Sequence, residues 1–131
     1  MTPTLMVETS ALVAIVLEEP GWEPLAELVV SAKAFTTCIN VFEASLALVR
    51  ELTASPKAAH EIVLGMASRL NIAITDYPAG AVAFAASARQ EFGRGRHGLN
   101  MGDCLSYGAA RLSGARLLYV GEDFARTDVN D

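Results

Sequence analysis

Four short apolar runs, at residues 5–7, 34–38, 71–75 and 116–120, recur along the chain with helix-patterned segments between them. That alternation constrains the fold more than any other feature. Runs such as A-F-T-T-C and R-L-L-Y-V are too short for a core helix and rich in β-branched, aromatic or leucine side chains, which reads as strand. The intervening segments place apolar residues at helical spacing, as Leu12, Ile15 and Val16 do. Strands joined through helices run parallel, and a parallel sheet is covered on both faces. The expected architecture is therefore α/β, a three-layer fold with a short central parallel sheet of four to five strands. Residues 1–131 read as one domain.

Capping residues and breakers set the expected helix boundaries. Thr9 or Ser10 caps a helix to about residue 17, which E-E-P-G at 18–21 ends; residues 22–31 form the next. Asn40 is expected to cap a long helix to about residue 52 with Val41, Ala44, Leu48 and Leu52 facing inward. Ser55 followed by Pro56 starts another helix in the favoured order of cap then proline. Asp76-Tyr77-Pro78 opens a helix ending near residue 92, and G-R-G-R-H-G at 93–98 is a flexible basic loop. A helix over 102–113 stops at Gly114, and residues 127–129 add a short final strand.

Composition narrows the function classes. The formal net charge of −5 argues against general nucleic-acid binding, which rests on cationic contacts. Arg89, Arg94, Arg96 and His97 nevertheless cluster just upstream of Asp103, a local anion-binding patch beside acidic residues. A hydrophobic fraction of 52% is high, yet no apolar run approaches the ~20 residues that span a bilayer. The excess apolarity points instead to a partner-covered surface. The start of the chain lacks the basic segment and cleavage site of a secretory signal. Cys38 and Cys104 lack C-x-x-C spacing and sit in apolar surroundings, so both are expected to be small buried hydrophobes in a reducing cytoplasm.

Four acidic positions carry the chemistry. Ligands of open parallel sheets bind beyond the carboxyl ends of the strands. Glu8 directly follows the first strand, Glu43 lies early in the helix after the second, Asp103 opens the helix before the fourth, and Asp123 lies three residues after Val120. All four are thus expected at one rim of the sheet. Such carboxylates suit the hard cations Mg²⁺ and Mn²⁺, which clamp the oxygens of a phosphodiester displacement. Each also has a structural reading: Glu8 at a strand end fits a solvated turn residue, Asn40-x-x-Glu43 and Asn100-x-x-Asp103 fit capping boxes, and Glu122-Asp123 fits a polar turn. Ser10 is a cap or a support beside Glu8. His97 reads as a phosphate contact or surface loop residue, and His60 as solvent-exposed.

Four blocks carry a family resemblance along nearly the whole chain: V-E-T-S-A-L-V-A-I, F-E-A, G-R-G-R-H-G-L-N-M-G-D-C-L-S-Y and L-L-Y-V-G-E-D-F-A-R-T-D-V. In these the chain resembles the PIN-domain ribonuclease toxins of VapBC toxin–antitoxin systems. The resemblance implies a Mg²⁺- or Mn²⁺-dependent endoribonuclease whose metal pocket is formed by Glu8, Glu43, Asp103 and Asp123. It implies auxiliary roles for Ser10 and Asn100, with Glu122 as a further auxiliary; in the nuclease reading the clustered Arg94, Arg96 and His97 are the residues expected to help hold RNA. It further implies a homodimer, a cognate VapB-type antitoxin that neutralises the toxin, and operator DNA reached only through that antitoxin.

One departure stands out. The family motif usually begins D-T-S-A-L, whereas this chain has Glu8. The extra methylene advances the carboxylate by ~1.5 Å, and a misplacement of about 1 Å can cost ~100-fold in rate. The expectation is a weakened nuclease. The alternative is a catalytically silent PIN module whose work is to partner a DNA-binding antitoxin.

Overall fold

The computed structural model describes residues 2–131. Four parallel strands, β1 (Thr4–Val7), β2 (Lys33–Thr37), β3 (Ala73–Thr75) and β4 (Arg116–Leu118), form one sheet in the order β3-β2-β1-β4. Six helices surround it: α1 (Thr9–Val16), α2 (Trp22–Ser31), α3 (Cys38–Leu52), α4 (Pro56–Arg69), α5 (Ala81–Phe92) and α6 (Met101–Ser113). The α/β expectation with a helix-covered parallel sheet is met, with four strands among the described residues.

Side-chain alternation on β1 shows how the layers are built. Met6 and Val7 are both fully buried but feed opposite sides of the sheet. Val7 joins Leu12, Val29, Val41, Leu48, Val63 and Ile72 under α1–α4. Met6 joins Leu99, Tyr107, Leu117 and Phe124 under α5 and α6. Burying a side chain of this size stabilises the fold by ~1.5–3 kcal/mol, so the central strand ties both layers together.

Several boundaries differ from the sequence reading, each for a physical reason. Thr37, not Asn40, caps α3: its hydroxyl accepts the Asn40 N–H at 3.3 Å. Asn40 is instead buried as a tertiary connector. Cys38, expected in the core, opens α3 and is exposed, whereas Cys104 is buried as expected. Leu52, at the end of α3, is 43% exposed and lies outside the core that Val41, Ala44 and Leu48 enter. Helix α5 begins only at Ala81, because residues 78–82 form tight turns closed by Ala81 N–H to Pro78 O and Val82 N–H to Ala79 O. Tyr77 is meanwhile held by its hydroxyl donating to Leu105 O at 2.8 Å.

Residues 127–129 do not form a fifth strand. The Asn130 side chain takes that place: its Oδ1 accepts Leu117 N–H at 2.7 Å and its amide donates to Leu117 O at 3.0 Å. One amide thus satisfies both backbone groups that a neighbouring strand would have paired. The Arg111–Asp128 ion pair at 2.9 Å, reinforced by Tyr107 Oη donating to Asp128 Oδ1, holds the segment in place.

Candidate functional site

The chain passes from β1 to β2 to β3 in one direction and then returns to place β4 on the other side of β1. The reversal opens a crevice at the carboxyl ends of β1 and β4, where ligands of such sheets bind. Glu8 lies in that crevice, its N–H bonded to Leu118 O at 3.0 Å.

Glu8, not the expected Thr9 or Ser10, is the residue before α1 and caps it with its own side chain, buried rather than solvated. Its Oε1 accepts the Ser10 N–H at 3.0 Å and also the Ser10 hydroxyl. Ser10 Oγ in turn accepts Val120 N–H at 2.8 Å, which joins the acid to the end of β4. Ser10 is therefore both cap contact and brace. Burial pushes the Glu8 carboxyl up to about 7; the two Ser10 bonds oppose the rise, and the charges of Asp103 and Glu43 add to it.

Asp103 is placed by a complete capping box. Asn100 Oδ1 accepts Asp103 N–H at 2.8 Å, and Asp103 Oδ2 accepts Asn100 N–H at 3.2 Å. The capping reading and the site reading hold together here, since the second carboxylate oxygen is not used in the box. Burial raises the Asp103 carboxyl, the Asn100 N–H pulls it back, and Asp123 and Glu43 push it further up. Asp103 is thus within electrostatic reach of Glu8, Glu43 and Asp123 alike.

Glu43 forms no capping box with Asn40. Its Oε1 accepts the Thr9 hydroxyl at 2.9 Å, across a gap between α3 and α1 that a helix-local contact would not bridge. Below it lies a buried polar network. Asn40 donates to Thr9 Oγ1 at 3.1 Å and to Ser106 Oγ at 2.9 Å, and accepts the Thr37 hydroxyl at 2.6 Å. Asn40 is 2% exposed and so links α1, α3 and α6, the three helices that present Thr9, Glu43 and Asp103. On the remaining side Gly102 lies against the Glu43 carboxylate, where any Cβ would collide with it.

The structure therefore brings Glu8, Glu43, Asp103 and Asp123 to one rim, with Ser10 and Asn100 holding two of them. Glu122 is exposed and is not among the charges acting on Glu8 or Asp103. Arg94, Arg96 and His97 are exposed in a cleft that Asp123 also lines. Among the described residues no three acidic, histidine or cysteine side chains stand close enough to enclose one ion as placed. The sequence reading did not single out Gly102, Ser106 or Arg126, nor Thr9 and Asn40 as anything but caps. The one available signal was the small residue at 102, between a cap and an acid.

Comparison with known proteins adds to this geometry. A family model for the PIN domain matches residues 5–130. Ribonuclease VapC30 of Mycobacterium tuberculosis is 36% identical over 127 residues, covering 95% of each chain. Ribonuclease VapC of Mycolicibacterium smegmatis is 37% identical over 127 residues, covering 95% of this chain and 97% of its own. Two solved structures share the fold. VapBC2 from Rickettsia felis, bound to a DNA fragment from its promoter, superposes with a TM-score of 0.72 at 18% identity, covering 96% of this chain and 94% of that one. Mycobacterium tuberculosis VapC20, a sarcin-ricin loop cleaving toxin, does so with a TM-score of 0.71 at 15% identity, covering 92% of each.

Proposed function

The chain belongs to the PIN-domain family, with VapC ribonucleases as its relatives, and from that membership we propose that it is a divalent-metal-dependent endoribonuclease, the toxin of a toxin–antitoxin pair. The observation that carries the site assignment is the gathering of Glu8, Glu43, Asp103 and Asp123 at the crevice between β1 and β4, with Glu8 and Asp103 both raised by burial and by their acidic neighbours. Buried carboxylates that repel one another without a cation between them are a site that a divalent ion would stabilise.

The donor set fits Mg²⁺ or Mn²⁺. It is entirely oxygen, and Mg²⁺ is usually held by only one or two carboxylates together with waters and substrate phosphate, so three ligands in prior contact are not required. When bound, such an ion supplies Lewis acidity toward the phosphate and an acidified water. The protein's own part is orientation. Asn100 aims Asp103, Thr9 holds one oxygen of Glu43, and Ser10 holds one oxygen of Glu8. Arg94, Arg96 and His97 hold the RNA backbone, and Glu122 is an auxiliary at the rim.

Glu8 stands where the family motif carries Asp, and its carboxylate is folded back onto Ser10. Both facts favour reduced activity relative to an Asp at this position. On a broad RNA panel with Mg²⁺, Glu8→Asp is expected to speed cleavage and Asp103→Asn to abolish it. If neither variant changes the rate, the catalytic assignment fails.

The partners follow from the same membership. An antitoxin of the VapB type would neutralise this chain and carry any contact with operator DNA, and the toxin would form a homodimer. Support comes from apolar side chains left outside the core, with Phe42 60% and Leu46 45% exposed on the outer face of α3. Among the described residues no helix is long and apolar enough to cross a membrane, in keeping with a cytoplasmic toxin. A second reading, a silent PIN module that serves only its antitoxin, is favoured by the engagement of Glu8 with Ser10. A stable antitoxin complex with no nuclease, even in Glu8→Asp, would establish it.

A further inference from the structure

Beside Asp123, and away from Glu8, lies a cleft of about 340 Å³ whose walls include Phe92, Arg94, Arg96, His97, Asp123 and Arg126. We propose that this cleft seats the RNA nucleotide next to the cleaved bond, with Arg126 as a phosphate-binding residue that shares it with Arg94 and Arg96. The proposal rests on the nuclease reading for its choice of ligand and adds to it a bounded subsite and a residue outside the basic loop.

Both walls are built on anchored backbone. On one side the 93–98 loop is closed tightly: Leu99 N–H bonds Phe92 O at 2.9 Å, and Gly98 N–H bonds Gly95 O at 3.2 Å. Arg89 clamps its exit by donating to Leu99 O at 2.8 Å. A Cβ at Gly98 would strike the backbone of Gly93, so the loop keeps this shape only with glycine there. On the other side Arg126 stands two residues after Phe124, which is 2% exposed and packed on Tyr119. That turn is closed by Ala125 N–H to Glu122 O, and by the Thr127 N–H and hydroxyl, both donating to Phe124 O.

The cations themselves are uncommitted. Three of the chain's ten basic residues meet here, all exposed, and the Arg111–Asp128 pair is the only ion pair among the described residues. Glu91 and Asp123 share the cleft without pairing to them. A guanidinium presents a planar fork that matches phosphate oxygens, and three such groups on two walls suit a polyanion threading between them. Half-buried Phe92 offers a ring on the same wall, the kind of surface on which unpaired bases stack. Asp123 lines the cleft and also acts electrostatically on Asp103, so the cleft and the carboxylate rim share this residue. A phosphodiester lying at that rim would have its neighbouring nucleotide in the cleft.

The test measures fluorescence anisotropy of a labelled short single-stranded RNA of randomised sequence, bound to the full chain in EDTA over a salt series. Arg126→Ala is expected to weaken binding roughly 3–10-fold and to reduce the salt slope by about 0.7, one phosphate contact on a single strand. Arg69→Ala, a charge removed from α4 under the opposite face of the sheet, is expected to change neither. Unaltered affinity and slope in Arg126→Ala, or no binding by the parent chain, would overturn the proposal. So would Arg126-dependent binding of a polyglutamate peptide in place of RNA, which would assign the cleft to an acidic protein segment. Because EDTA prevents metal-dependent cleavage, the two readings fail separately. Arg126-dependent binding without cleavage under any metal, by the parent or by Glu8→Asp, supports an RNA-binding cleft and refutes the nuclease. Cleavage whose KM ignores Arg126 refutes the subsite alone.

Discussion

Replacing Glu8 by Gln isolates what the buried charge costs the metal-free protein. Gln keeps an oxygen in the position that accepts from Ser10 but cannot ionise. The Glu8 carboxyl rises from an ordinary 4.5 to about 7 on folding, a shift worth about 3 kcal/mol. Between those two values the folded state binds more protons than the unfolded one, so stability falls as pH rises. The stabilising effect of the raised value is fully present below pH 4.5 and is lost as pH climbs through about 7. Glu8→Gln carries no such term. In EDTA it is expected to be more stable than the parent by about 3 kcal/mol at pH 8.5 and by less than about 1 kcal/mol at pH 5. For a chain of this size the larger gap is on the order of 10 °C in Tm. Urea unfolding at the two pH values is the assay, and adding Mg²⁺ at pH 8.5 should narrow the gap by mass action on the parent. An offset that is the same at both pH values would refute the reasoning. Because Asp103 shares the site and is raised in the same direction, the observed midpoint belongs to the coupled carboxylates together.

Three further outcomes follow from the geometry. Gly102→Ala drives a methyl into the space of the Glu43 carboxylate and is expected to weaken Mn²⁺ binding, read by calorimetry, more than it lowers Tm. Asn40→Ala leaves Thr9, Ser106 and Thr37 without their shared partner; a loss of about 1–3 kcal/mol in urea unfolding is expected from the unmet hydrogen bonds. Leu48→Ala, at a side chain with no exposure, is expected to cost ~2–5 kcal/mol by the same assay, leaving RNA cleavage at low temperature close to that of the parent.

Much of this architecture is legible from local chemistry. The Asn100 box, the Ser55–Pro56 start and the Gly114 stop are all set by residues within four positions of one another, and the structure forms each of them. The rim shared by the acids followed from a topological rule rather than from any local contact. What escaped the sequence reading was decided at long range. Thr37 and Asn40 are both good capping residues three apart, and nothing local chooses between them. The choice is made by Thr9 and Ser106, which lie 31 and 66 residues from Asn40 and need its amide. Residues 127–129 have strand-like composition, but the ladder position was taken by the side chain of Asn130. Arg126 reads as an isolated cation in a turn until the fold brings it into one cleft with Arg94 and Arg96.

The Asn130 amide gives the sheet two unlike margins. At β4 the peptide groups of Leu117 are already answered from within the chain, so a foreign strand arriving there would first have to evict a side chain. At β3 all three residues, Ala73 to Thr75, are exposed, and among the described residues no side chain is bonded to its backbone as Asn130 is to that of β4. Any strand added from outside, whether by a second molecule or by misassembly at high concentration, is therefore directed to the β3 margin. That margin is separated by β2 and β1 from the crevice that holds Glu8. A single side chain thus gives the molecule a polarity, with growth possible at one end and chemistry kept clear at the other.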